Sequence, residues 1–151
     1  MRFHDGDYDH PGQWALWENA LHRAINGRRG QQVLRDLERA LVELPEQALS
    51  SGSLVDGEGA VCAVGAYVAQ KRVEAGERRE DVLSDLFIEP DAWGDLNGWE
   101  AEDRTITAAQ NAGMQLTVAV AVAGLNDDYY KATPQERHTK VLAWVRERIL
   151  P

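Results

Sequence analysis

The chain has one cysteine, Cys62, among its 151 residues, which excludes an internal disulfide. It has no run of the roughly 20 apolar residues that a membrane span requires. The longest candidate, Met114 to Leu125, is too short and is interrupted by Gln115 and Thr117. The opening residues Met1-Arg2-Phe3-His4-Asp5 lack the apolar core of a signal peptide, so the expected compartment is the cytoplasm. There is no Gly-Lys-Ser/Thr phosphate loop, no Gly-x-Ser-x-Gly nucleophile elbow and no His-Glu-x-x-His helix. Internal repeats, low-complexity tracts and interdomain linkers are missing too. What the sequence lacks most is any local grouping that would carry a reaction.

Cations are missing over one stretch as well. Between Asp81 and Asp103 lie Asp81, Asp85, Glu89, Asp91, Asp95, Glu100, Glu102 and Asp103, without one Lys or Arg. These eight carboxylates account for nearly all of the formal net charge of -9. Such a balance argues against general affinity for nucleic-acid backbones or anionic membranes. The opposite end of the chain is mixed to basic, with Lys131, Arg137, Lys140, Arg146 and Arg148.

What is present is a helical program. With 44% hydrophobic and 27% charged residues, the composition is that of one soluble globular domain able to bury a core. Residues 1–10 read as an irregular polar arm, and 11–151 as a single, mainly α domain. Pro11 opens a helix whose stripe is Trp14, Trp17, Leu21, Ala24 and Ile25, with Asn26-Gly27 as a left-handed cap. After the Gly27-Arg28-Arg29-Gly30 turn, Val33, Leu34, Leu37, Ala40, Leu41 and Leu44 form a second stripe that Pro45 stops. The pair is an expected antiparallel αα-hairpin. Asp56-Gly57 between Ser53-Leu54-Val55 and Ala60-Val61-Cys62 predicts one small β-hairpin. Ala63 to about Glu74 should be the central buried helix, ended by Gly76; a short helix carrying Val82, Leu83, Leu86 and Phe87 follows. Asp91 to Asp103 is the least regular segment. Thr105 to Ala112 is helical up to Gly113, and 115–125 reads as a buried helix, with a strand as the alternative because Val118, Val120 and Val122 alternate with alanines. Thr133-Pro134-Gln135-Glu136 starts the last helix with a Thr cap, Pro at the first position and a Glu three residues after the cap.

Several of these pieces together resemble a known group. Arg-Arg-Gly at 28–30, Gly-x-Val-Cys-Ala-x-Gly-Ala at 59–66, Ala-Gly-Met at 112–114, Leu-Asn-Asp at 125–127 and Thr-Pro-x-Glu-Arg with a later Ala-Trp-Val across 133–145 are similar to segments of small, uncharacterised proteins encoded by bacteriophages and prophages. The resemblance spans most of the chain and carries over no catalytic residue. It implies a phage accessory protein acting in the host cytoplasm.

Four candidate sites stand against simpler readings. His4, Asp5, Asp7, Asp9 and His10 could hold a divalent ion, but a calcium loop counted from Asp5 would need Gly and Glu where His10 and Leu16 stand. A solvated arm is the simpler reading, so no metal and no cofactor are expected; a metal-dependent enzyme built on the arm is an alternative. Cys62 lies among Val61, Ala63 and Val64, as a small buried hydrophobe does, and only His22 and His138 outside the arm could serve it as a base. Residues 105–125 thread onto a helix-turn-helix through Ala109, Gly113 and Met114, which makes a small DNA-binding regulator, with help from Arg28, Arg29 and Arg104, an alternative. Its second helix would present Gln115, Thr117, Val120 and Ala121, with no Arg, Lys or Asn to read bases. The fourth candidate is the acidic segment itself, with Trp93 and Trp99, whose indoles either plug the core or anchor a contact. Glu89, Asp91, Trp93, Asp95, Trp99, Glu100, Glu102 and Asp103 form the expected partner-binding surface, suited to a basic host protein. No heptad seam persists long enough to specify a dimer, so the oligomeric state, monomer or homodimer, stays open.

Overall fold

Short capping and turn segments set where several helices of this chain begin and end. The computed structural model describes residues 11–87, 98–128 and 131–151, with backbone only at 11, 12, 14 and 98–102. Among the described residues there are seven helices: α1 (Pro11–Asn26), α2 (Arg28–Val42), α3 (Ala63–Glu74), α4 (Arg79–Leu86), α5 (Gly98–Asn111), α6 (Leu116–Asp128) and α7 (Pro134–Arg148). The mainly α single domain expected from the periodicities is therefore present.

The joint between α1 and α2 is tighter than the sequence suggests. Arg28, Arg29 and Gly30 are not a turn; they are the first turn of α2, and Gly27 alone separates the helices. Gly27 is not a left-handed cap either, since its φ is -73°. The reason lies in Gly30. A β-carbon there would sit 1.7 Å from the Ala24 carbonyl oxygen, so only glycine lets α2 start hard against the end of α1. At its other end α2 is closed by Gln47. This residue takes φ 49°, and its side-chain amide donates to the carbonyls of Leu41, Val42 and Leu44 at 3.2, 2.8 and 2.7 Å. It satisfies the acceptors that a helix end leaves open.

The expected β-hairpin does not form. Among the described residues the pairing is one isolated antiparallel bridge, Val55 to Val61. The turn itself is real: Asp56 Oδ1 accepts from the amides of Glu58 and Ala60 at 2.8 and 2.9 Å, and the left-handed residue is Gly59, not Gly57. The ladder stops because Cys62, one residue past the bridge, is already the N-cap of α3. The backbone is committed to the helix before a second rung can form.

Helix α3 is the central element foreseen. Its residues Ala63 through Ala69 are all buried, and it touches α2, α4, α5 and α6. Gly65 allows it to lie on the preceding loop, since a β-carbon there would be 2.2 Å from the Leu54 carbonyl oxygen. Helix α6, the ambiguous valine-rich segment, is a helix and is nearly as enclosed, contacting α1, α3, α5 and α7. Leu34, Leu37 and Leu41 of α2, Val64 and Tyr67 of α3, Met114, Val118 and Val122 at α6, and Val141 and Val145 of α7 close the core. The last helix starts as expected, with Thr133 Oγ1 accepting from the Glu136 amide at 3.1 Å and Pro134 at its first position.

Candidate functional site

Six polar residues are buried among the described residues: Gln31, Asp36, Thr105, Asn126, Arg137 and His138. Burying such groups is costly unless they are bonded. Gln31 Nε2 donates to the carbonyls of Ile25 (2.9 Å) and Arg148 (3.0 Å), while its Oε1 accepts from the Leu150 amide (2.8 Å), tying α1, α2 and the C-terminal residues together. Asn126 donates to the Ser50 carbonyl and accepts from the Ala63 amide, both at 3.0 Å, so α6 holds the loop and the first turn of α3. Arg137 donates to the carbonyls of Leu49 (2.5 Å) and Ala132 (3.1 Å). His138 places Nε2 2.7 Å from the Leu41 carbonyl oxygen, which as an acceptor requires the proton on that nitrogen. Asp36 receives Lys71 and Arg39 at 3.2 Å each and joins α2 to α3. Apart from Asp36 and Thr105, these side chains are spent on main-chain groups, most of them at helix ends and loops.

Cys62 has a structural task as well. Its Sγ accepts from the Gly65 amide at 3.3 Å, as the cap of α3. Burial pushes the thiol up to about 11, so at neutral pH it is protonated and a poor nucleophile. Its two candidate bases do not form a dyad: His138 is engaged with Leu41, and His22 is exposed on α1.

The helix-turn-helix positions are placed as the sequence suggests. Ala109 and Met114 are buried, and Gly113 turns the chain at φ 107°. The turn is braced by Tyr67, whose hydroxyl donates to the Ala112 carbonyl (3.2 Å), and by Arg29, whose guanidinium donates to the Gly113 carbonyl (3.3 Å). Arg29, one of the arginines that would help a DNA-binding regulator, thus sits at the negative end of α5. The helix that would enter a groove is α6, enclosed by four others, and no side chain from Thr117 to Asp127 is fully exposed. This geometry is that of a packing unit.

Of the acidic segment, Glu89, Asp91, Trp93 and Asp95 lie outside the described residues, as does the 1–10 arm with His4 and His10. Trp99, Glu100 and Glu102 fall on the backbone of α5, and their side chains are likewise outside the description. The segment's last part is a correction: from Gly98 onward it is regular helix, not irregular loop. Of its acids, Glu100 falls in the first turn, where the helix dipole favours negative charge. Asp103 and Asp81 are exposed, with no ion pair among the described residues. Asp85 instead meets Arg72, Nη1 to Oδ2 at 2.6 Å.

No family model, curated protein or solved structure matches the chain.

Among the described residues there is no group of His, Cys, Asp and Glu arranged to hold a metal, and no helix long and apolar enough to cross a membrane. Sequence reasoning missed the pinning roles of Gln31, Gln47 and Asn126. A polar side chain inside or just after an apolar stripe is the only trace such pins leave in a sequence.

Proposed function

We propose that the chain is a non-enzymatic phage accessory protein that binds a host cytoplasmic protein through its acidic, tryptophan-bearing segment around 85–103. The partner is a protein with a basic surface, of the kind that handles nucleic acid or serves defence. The observation that carries this reading is the run of eight carboxylates without a cation from Asp81 to Asp103. A charge field of one sign steers association with a surface of the other sign, and indoles supply contact energy once docked. Two facts from the described residues support it. Asp81 and Asp103, at the two ends of the run, are exposed and unneutralised by described cations. Gln31, Asn126, Arg137 and His138 bond main-chain groups and Asp36 is paired with Lys71 and Arg39, so these buried side chains are engaged in holding the fold.

The test is charge reversal of Asp91, Asp95, Glu100 and Glu102 to Lys. Capture of the partner from host lysate should be lost, while the helical circular dichroism spectrum and its melting temperature persist. Undiminished capture by the folded variant rejects this face.

A further inference from the structure

Helix α4 is the shortest of the described helices. It is 8 residues long, buries only Val82 fully, and rests chiefly on α3. Between them the chain turns through Gly76, whose φ of 104° admits glycine readily and few other residues. The turn is a Schellman closure: the Gly76 amide bonds the Val73 carbonyl at 3.0 Å, and the Glu77 amide bonds the Arg72 carbonyl at 3.1 Å. The Arg72 side chain doubles that closure. Its guanidinium grips Glu77 with two bonds, 2.7 Å from Nε and 2.6 Å from Nη2, and reaches Asp85 on α4 with a third, 2.6 Å from Nη1.

We propose that Arg72 is an ionic latch for α4, and that mobile cations competing for Glu77 and Asp85 release α4 from α3 while the remaining helices stay packed. The two carboxylate side chains keep 44% and 64% of their surface exposed, so a competing cation can reach them. Proximity to Arg72 holds the Glu77 carboxyl below its ordinary range, in keeping with a tight pair. Because α4 opens the acidic run, release would change how that run is presented. No partner is needed for the latch to operate, so its test is independent of the proposed function.

Amide hydrogen exchange of the intact protein, followed by mass spectrometry in about 20 mM and about 1 M sodium chloride, reads the latch directly. In low salt the amides of 82–87 should exchange about 1.5- to fivefold slower than in high salt, the span an ion pair of this exposure allows. Arg72→Met should show the fast rate at both salt concentrations, with α2 amides 34–41 unchanged. Asp85→Asn makes the same cut from the other side and should give an intermediate rate. Exchange in 82–87 that ignores both salt and Arg72→Met overturns the latch. So does acceleration of 34–41 in parallel with 82–87, which would mean global loosening.

Discussion

Gly65→Ala is the sharpest test of how the interior is held. The added β-carbon would be built 2.2 Å from the Leu54 carbonyl oxygen, 3.0 Å from the Leu54 carbonyl carbon and 3.3 Å from Val61 Cβ. Ordinary contact begins near 3.4 Å, so α3 and the loop must separate by about 1 Å. The obstacle is backbone, not the free end of a side chain, and that same carbonyl accepts the Cys62 amide at 3.2 Å. Overpacking of this kind costs about 1–3 kcal/mol, and here it also strains a hydrogen bond. Alanine's better helix propensity returns at most about 1 kcal/mol. The net expectation is a loss of about 2 kcal/mol, which lowers the melting temperature by about 4–8 °C in a domain of this size. Thermal melts followed by circular dichroism, with urea unfolding alongside, measure it. A Gly65→Ala protein as stable as the parent would refute the close approach of α3 to the loop, and the account of the core with it.

Three further outcomes follow from the same geometry. Gly124→Ala, on α6 with nothing within 4 Å of its added carbon, should raise stability by about 0.5–1 kcal/mol; a destabilised protein would show that α6 is packed more closely there. Asn126→Leu should cost about 2–3 kcal/mol by urea titration, because it strands the Ser50 carbonyl and the Ala63 amide together; a cost under about 0.5 kcal/mol would remove Asn126 from its pinning role. Cys62 should resist a thiol reagent in the native protein at neutral pH and react on unfolding. Its folded thiol is raised from 9.0 to about 11, so above 9.0 the unfolded chain releases a proton that the folded chain keeps. Stability should therefore be at its full value below pH 9.0 and fall as pH rises toward 11, and Cys62→Ala should blunt that fall.

The parts of the fold that were legible are those where one residue dictates local geometry. Thr133-Pro134 with Glu136, Gly76 and Gly113 start or end helices where the sequence places them. The apolar stripes of α2 and α7 face inward, as their spacing requires. What misled was context over short distances. Arg28-Arg29-Gly30 has the composition of a turn, yet the contact between Gly30 and Ala24 makes it helix. Asp56-Gly57 signals a hairpin, yet the cap at Cys62 takes the chain away after one bridge. The long-range pins, Asn126 to Ser50 and Ala63, and Gln31 to Leu150, join residues far apart in sequence, and no local pattern encodes them. The acidic run was legible as charge alone, since position in a sequence does not say which acids are already paired; Asp85 is, through Arg72.

The claim on which the account turns is that the helical body presents an acidic face to a basic partner. Side-by-side capture from host lysate, with the parent protein and the Asp91, Asp95, Glu100 and Glu102 to Lys variant at about 50 and about 500 mM salt, tests it most directly. The account predicts a specific protein retained by the parent, weakened by salt and absent from the folded variant. The same protein retained equally by both, at either salt concentration, would contradict it.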